Sequence, residues 1–205
     1  ADLPDTKDKV GATDVTVPTK VKYANGEETV KVPVTVLPKV TPEGVTVLKD
    51  STGLDEAVKA KAVEAATAVP TDKLPDGVTV RVKEVKAGTV PATTATGVQT
   101  PATAVVEYVK DGNVVKTSEV PVPVTVVGST ASNVVVFEGD TVEAKTVQDA
   151  VTPGSNGTKG NPAIPEDITK TTGKKEVTVP VTYEGVKDPE QVKVPVTVLP
   201  KATGE

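Results

Sequence analysis

The sequence predicts a mainly β protein laid out as tandem small units, each carrying one short helix. Three observations predict it. Val (44) and Thr (32) fill more than a third of the 205 residues, the composition of pleated, half-buried strands. Runs such as Val177-Thr178-Val179-Pro180-Val181-Thr182-Tyr183 place apolar residues at every second position, so one face is buried and the other wet. Finally, the run Val30-Lys31-Val32-Pro33-Val34-Thr35-Val36-Leu37-Pro38-Lys39 returns without a gap at Val192–Lys201, an offset of 162, so the chain repeats itself.

The same offset carries Asp5 onto Asp167, Gly11 onto Gly173 and Val15–Pro18 onto Val177–Pro180. Residues 1–39 and 163–201 are therefore two copies of one half-unit. A diverged third ending, Val120–Val127, lies between them and is followed by Gly128-Ser129, which reads as a junction. Before each complete ending comes a short strand (Val45–Leu48 or Val134–Phe137), then a helical stretch, then more strands. The reading is one partial unit, 1–39, and two whole ones, 40–128 and 129–205. A 39-residue piece is too small for a lone core, so 1–39 is expected to be the C-terminal half of a unit or to pack on the next one.

In 40–128 a helix is expected over 54–69. Leu54, Val58, Ala62, Ala65 and Val69 recur at helical spacing, Thr52 with Asp55 forms a capping-box start, and Pro70 stops the helix. Its counterpart in 129–205 is shorter: Thr146 caps, Asp149 sits three later, and Val147, Ala150 and Val151 face inward before Pro153-Gly154. Each inward Val contributes roughly 1.5–3 kcal/mol, enough for a thin core without aromatics. The outward Pro of VPVTV cannot donate to a ladder, which confines it to an edge or bulge. Asn25-Gly26 and Asp111-Gly112 supply tight hairpin turns.

Absent residue types limit the chemistry. There is no Cys, His, Met or Trp, one Phe, three Tyr and a single Arg, Arg81. Thiol and imidazole catalysis, disulfides and nearly all Zn, Cu, haem and iron–sulfur sites need the missing side chains. Net charge is −5, the wrong sign for nucleic acid, and stacking platforms and Arg forks are lacking. No run approaches the about 18–20 apolar residues of a membrane span. The opening Ala1-Asp2-Leu3-Pro4-Asp5 has neither an apolar signal core nor an initiator Met, and reads as the start of a fragment of a larger protein. No catalytic, cofactor-binding or metal-ligating residue is assigned.

Several patterns invite sharper readings. Leu199-Pro200-Lys201-Ala202-Thr203-Gly204-Glu205 approaches a cell-wall sorting signal with one residue too many; its repeat partner, Leu37–Glu43, runs into the next unit as a linker. Gly154–Gly160 has the glycines of a phosphate loop in the wrong order, with Pro162 where a helix should open. Asn156-Gly157-Thr158 is an N-glycosylation sequon, meaningful in a secretory host. Glu138, Asp140 and Glu143 cluster at a turn, the donors of a weak Ca²⁺ site without the EF-hand pattern. Paired carboxylates for a glycosidase would need aromatic platforms and a deep cleft. An intramolecular Lys–Asn or Lys–Asp isopeptide bond needs a buried acid beside it, and no triplet can be nominated from the sequence.

The order helix, Asp72-Lys73-Leu74-Pro75-Asp76-Gly77-Val78, Val105–Gly112 and VPVTV ending resembles the Rib/alpha-like repeats of Gram-positive surface proteins. Leu3-Pro4-Asp5-Thr6, Val21-Lys22-Tyr23-Ala24-Asn25-Gly26 and Val181-Thr182-Tyr183-Glu184-Gly185 echo the same family's turn and hairpin. An intact Tyr-Pro-Asp-Gly occurs nowhere, and Thr93–Thr103 reads as an insertion. The resemblance implies tandem immunoglobulin-like (Rib-type) β-sandwich domains. It implies an extracellular, non-catalytic stalk segment of a cell-wall-anchored adhesin, monomeric, whose partners are neighbouring units in the same chain. The alternative expectation is that the units themselves bind a host glycan or protein through loops 93–103 and 152–162, since loops on rigid scaffolds carry recognition.

Overall fold

The computed structural model describes residues 5–11 and 15–202. Among them the chain is mainly β, with several sheets and two α-helices. In chain order the first elements are β1 (Thr16–Tyr23), β2 (Gly26–Pro33), β3 (Val45–Leu48), α1 (Leu54–Thr67), β4 (Val78–Val85) and β5 (Gly97–Val98). Next come β6 (Ala102–Lys110), β7 (Asn113–Val122), β8 (Val124–Val127), β9 (Thr130–Ala131) and β10 (Val134–Phe137). The last are α2 (Ala144–Asp149), β11 (Val151–Thr152), β12 (Thr158–Lys159), β13 (Gly173–Thr182) and β14 (Glu190–Leu199).

These elements gather into two compact units. Unit 1 comprises Ala1–Glu43, Asp55–Val90 and Pro101–Pro123; unit 2 comprises Gly44–Leu54, Pro91–Thr100 and Val124–Glu205. The division cuts across the segment 40–128 read from the repeat. Strand pairing decides membership: β3 and β5 both pair with β8, so their stretches go with it.

Unit 1 holds the antiparallel sheet β4-β6-β7 and the hairpin β1-β2. β6 is central, and its near-continuous apolar run is buried on both faces, Ala104, Val106 and Tyr108 on one and Val105 and Val109 on the other. It turns into β7 at Asp111-Gly112, both with positive φ (51° and 79°), as the sequence expects of a two-residue hairpin. The other hairpin turns one residue earlier than expected, at Ala24-Asn25, because Tyr23 pairs with Gly26. Every residue of β2 is exposed. The chain beyond β2 is anchored instead, by a hydrogen bond from the Tyr108 hydroxyl to Pro38 O and by burial of Pro38 and Val40.

α1 buries Leu54, Val58, Ala62 and Ala66, a strict four-residue spacing that makes one stripe. Ala66 replaces the expected Ala65 on that stripe. The helix ends at Thr67, two residues before the expected 69, and Val69 N bonds to Ala66 O (3.4 Å) ahead of Pro70.

Unit 2 holds the sheet β10-β14-β13-β12, the sheet β3-β8-β5 and the pair β11-β9. The period of two is realised here. Val177, Val179, Val181 and Tyr183 from one strand path and Val192, Val194, Val196 and Val198 from the next are all buried, in one cluster with Val134, Val147, Val151 and Ile168. α2 starts earlier than expected, with Glu143 rather than Thr146 preceding its first residue, and Val151 lies beyond the helix in β11.

The prolines require one correction. β14 is not an edge strand: it lies between β10 and β13. Pro195 is tolerated because the ladder to β10 opens only at the next residue, where Val134 meets Val196, so at Pro195 that ladder asks for no N–H donor.

Candidate functional site

The most developed polar site lies in unit 2, where the chain passes from Gly128 to Ser129. Tyr183, the residue after β13, continues the inward alternation of Val177, Val179 and Val181, and Glu190 opens β14 facing it. Ser129 Oγ lies 2.6 Å from Glu190 Oε2 and 2.7 Å from the Tyr183 hydroxyl, and Ser129 N donates to Glu190 Oε1 at 3.0 Å. Tyr183 OH is 3.1 Å from Glu190 Oε2, and Gly154 N donates to it at 3.2 Å.

Each hydroxyl owns one proton. Ser129 Oγ donates to Glu190 Oε2 over the shortest contact, the Tyr183 hydroxyl is within donating distance of the same oxygen, and Gly154 N–H donates to Tyr183. The result is a small hydrogen-bond network closed on one carboxylate, whose members polarise one another. Burial pushes the Tyr183 hydroxyl above the ordinary tyrosine value, and the bonds from Ser129 and Gly154 offset part of the rise.

Glycines make the approach possible. A Cβ on Gly157 would sit 2.7 Å from the Tyr183 ring and 2.7 Å from Pro153 Cβ, and one on Gly154 would meet Gly128 O at 2.7 Å. The glycines of 154–160, read from sequence as the wrong order for a phosphate loop, thus serve close packing. The arrangement holds four chain segments together. It works as a clasp across these segments.

The two loops singled out from sequence behave differently. In 93–103, Thr93 is tied to the 50–51 turn through Asp50 N to Thr93 O (3.0 Å) and Thr93 Oγ1 to Ser51 O (2.9 Å), while Val98 in β5 is 84% exposed. In 152–162, Lys159 Nζ donates to Gln148 O (2.8 Å) and Val151 O (3.1 Å), and Gln148 Nε2 donates to Gly160 O (2.9 Å). Asn156 of the sequon is exposed with φ 62°.

The acids at 138, 140 and 143 are not brought together. Asp140 Oδ2 accepts from Phe137 N (3.1 Å), its Oδ1 is 3.6 Å from Lys201 Nζ, and its carbonyl accepts from Thr169 (2.8 Å). Among the described residues no group of three or more acidic side chains is placed to hold a metal ion. Leu3-Pro4 and Thr203-Gly204-Glu205, which carry the turn echo and the sorting-signal pattern, lie outside the described residues.

Sequence reasoning missed Glu107, a buried charge on β6 in unit 1. Arg81 reaches it with Nε (3.0 Å) and Nη2 (2.7 Å), and Lys83 Nζ stands at 4.0 Å. Its position in an apolar run, Val105-Val106-Glu107-Tyr108-Val109, opposite the single arginine was the available signal. Among the described residues no helix is long and apolar enough to cross a membrane.

No family model matches the chain, and no curated protein matches it. Among solved structures, it is similar to the endo-fucoidan hydrolase MfFcnA4 from glycoside hydrolase family 107, at 10% identity and a TM-score of 0.23, over 91% of this chain and 34% of that one. It is also similar to human mucin-like protocadherin EC1-2, at 10% identity and a TM-score of 0.21, over 78% of this chain and 97% of that one. The chain thus spans about a third (34%) of the hydrolase's length.

Proposed function

We propose that this chain is a non-catalytic tandem-repeat stalk segment of an adhesin anchored in the cell wall of a Gram-positive bacterium, projecting an adhesive domain outward. The immunoglobulin-like, Rib-type reading of its units belongs to the same proposal. One observation carries it. The repeated ending meets a short parallel strand twice in one register, Val45 opposite Val124 and Val134 opposite Val196, as expected of one building plan used again along a chain. Repeated units add length without adding chemistry.

The test is solution scattering of chains lengthened by further copies of residues 129–201. The expected result is a monomer whose maximum dimension grows by roughly 30–45 Å with each copy. A dimension that stays constant as copies are added would overturn the stalk. Antibody labelling of intact cells tests the surface location.

A second reading is supported by Val98, an exposed apolar side chain on the 93–103 loop. Here the units bind a host glycan or protein through loops 93–103 and 152–162. Glycan arrays with the parent and with both loops shortened distinguish the two; signals lost on shortening favour the second reading.

A further inference from the structure

Three stretches share one ending: Val30–Leu37, Val120–Val127 and Val192–Leu199. In the second and third, the last four residues meet a short parallel strand, β3 on β8 and β10 on β14. The residue after the short strand closes the pairing in both, Lys49 N to Val127 O at 2.7 Å and Glu138 N to Leu199 O at 2.8 Å. The equivalent acceptor in the first copy is Leu37 O, and among the described residues no backbone amide donates to it.

The other edge of this segment is taken. Val34 N donates to Val15 O (2.8 Å) and Val36 O accepts from Gly11 N (3.0 Å). Backbone groups alternate sides along an antiparallel strand, so Thr35 and Leu37 turn their N–H and C=O to the opposite, open edge. An open edge is a template for another strand.

The adjoining face is uncovered too. Val30 and Val32 are 39% and 42% exposed, whereas their counterparts Val192 and Val194 are 7% and 0% exposed. In unit 2 those counterparts share a cluster with Val134 of β10, Val147 of α2 and Val151 of β11, all contributed by residues 129–162. Beside the open edge, within unit 1, lies a cleft of about 850 Å³ lined by Leu37, Val40, Tyr108 and Val120 among others.

We propose that Val34–Leu37 and the apolar face of the β1-β2 hairpin form an acceptor site for a strand-and-helix segment with the chemistry of residues 129–162. Its Val-rich strand seats in parallel on Val34–Leu37 in the register of β10 on β14, and its helix lays an apolar stripe over Val30 and Val32. The sister copies specify this occupant: a generic apolar ligand would cover the valines but leave Leu37 O without a donor. The inference goes beyond the stalk reading and does not depend on it.

The test mixes the full chain with a synthetic peptide of residues 129–162. The expected result is a 1:1 complex in which the Thr35 and Leu37 amides gain protection from hydrogen exchange and the Val30 and Val32 methyl resonances shift. Thr35→Pro removes one donor from the open edge alone, so it should weaken binding about tenfold. A scrambled peptide should not bind. Three results would overturn the proposal: no complex, equal binding of the scrambled peptide, or shifts at Val194 in place of Val32. A chain that is already a dimer through this hairpin without peptide would overturn it as well.

Discussion

Ser129 and Glu190 are joined twice, backbone amide to Oε1 at 3.0 Å and hydroxyl to Oε2 at 2.6 Å, so one carboxylate fixes both the path and the rotamer of the residue after Gly128. Hydrogen bonds to a charged group are each worth about 1.5–3 kcal/mol, and Glu190 is only half-buried, which places the net effect at the low end. Glu190→Ala should therefore cost about 2 kcal/mol in urea unfolding, and Tyr183→Phe about 1 kcal/mol. A Glu190→Ala chain as stable as its parent would show that the clasp holds nothing.

Gly157 is required for contact reasons rather than for its backbone angles. Its Cβ would stand 2.7 Å from the Tyr183 ring and from Pro153, and neither a ring nor a proline moves cheaply. Gly157→Ala should destabilise by about 1–3 kcal/mol and disturb the Tyr183 environment seen in near-UV circular dichroism. Gly88 offers the contrast, with open space around it but φ +76°. Gly88→Ala should cost about 1 kcal/mol with no change in that spectrum.

Identical residues in the two copies should respond unequally. Val194 is 0% exposed and its repeat partner Val32 is 42% exposed. Val194→Ala removes two methyls from a packed site and should cost about 2–3 kcal/mol; Val32→Ala should stay within about 0.5 kcal/mol. Equal losses would mean that the hairpin's apolar face is covered in solution.

That inequality marks the boundary of what the sequence could tell. Alternation in Val177–Tyr183 and Val192–Val198 made the buried faces legible, because a period of two leaves one choice of face. The short strands at 45 and 134 and the helix at 54 were likewise readable from spacing. Register was not. Val17 pairs with Val32, but its repeat partner Val179 pairs with Val192, two residues away from the equivalent Val194. The tyrosine explains the shift: it comes at 23 in one copy and at 183, not 185, in the other, and the turns form around it. A slip of two keeps every valine on its face, so hydrophobic pattern is silent about it. The clasp was hidden for another reason, since Ser129, Gly154, Tyr183 and Glu190 are assembled from four segments with no common motif.

Glu107 and Arg81 form a pair whose halves are unequally buried, with side chains 9% and 60% exposed. Water screens the arginine, which discounts the interaction, yet removing it leaves a buried carboxylate short of partners. Arg81→Ala should cost about 1–2 kcal/mol, and Glu107→Gln in the Arg81→Ala background should recover part of it by deleting the orphaned charge. A double variant no more stable than Arg81→Ala alone would assign the loss to packing by the arginine stem.

Tyr108 and Tyr183 should together set the alkaline limit of the fold. Burial raises both hydroxyls above the ordinary tyrosine range, opposed in Tyr108 by a backbone hydrogen bond and in Tyr183 by the Ser129 and Gly154 bonds. A folded-state value above the unfolded one means the native protein holds its proton more tightly. The resulting stabilisation is fully present below the unfolded value of about 10, and it drains away as pH rises through the raised folded value. Phenolate absorbance should therefore show two of the three tyrosines ionising late, in step with loss of the β signal in circular dichroism. Tyr108→Phe and Tyr183→Phe should each remove one late-ionising group and flatten the alkaline fall in stability. Two tyrosines that ionise early while the strands persist would mean that water reaches both hydroxyls in the folded chain.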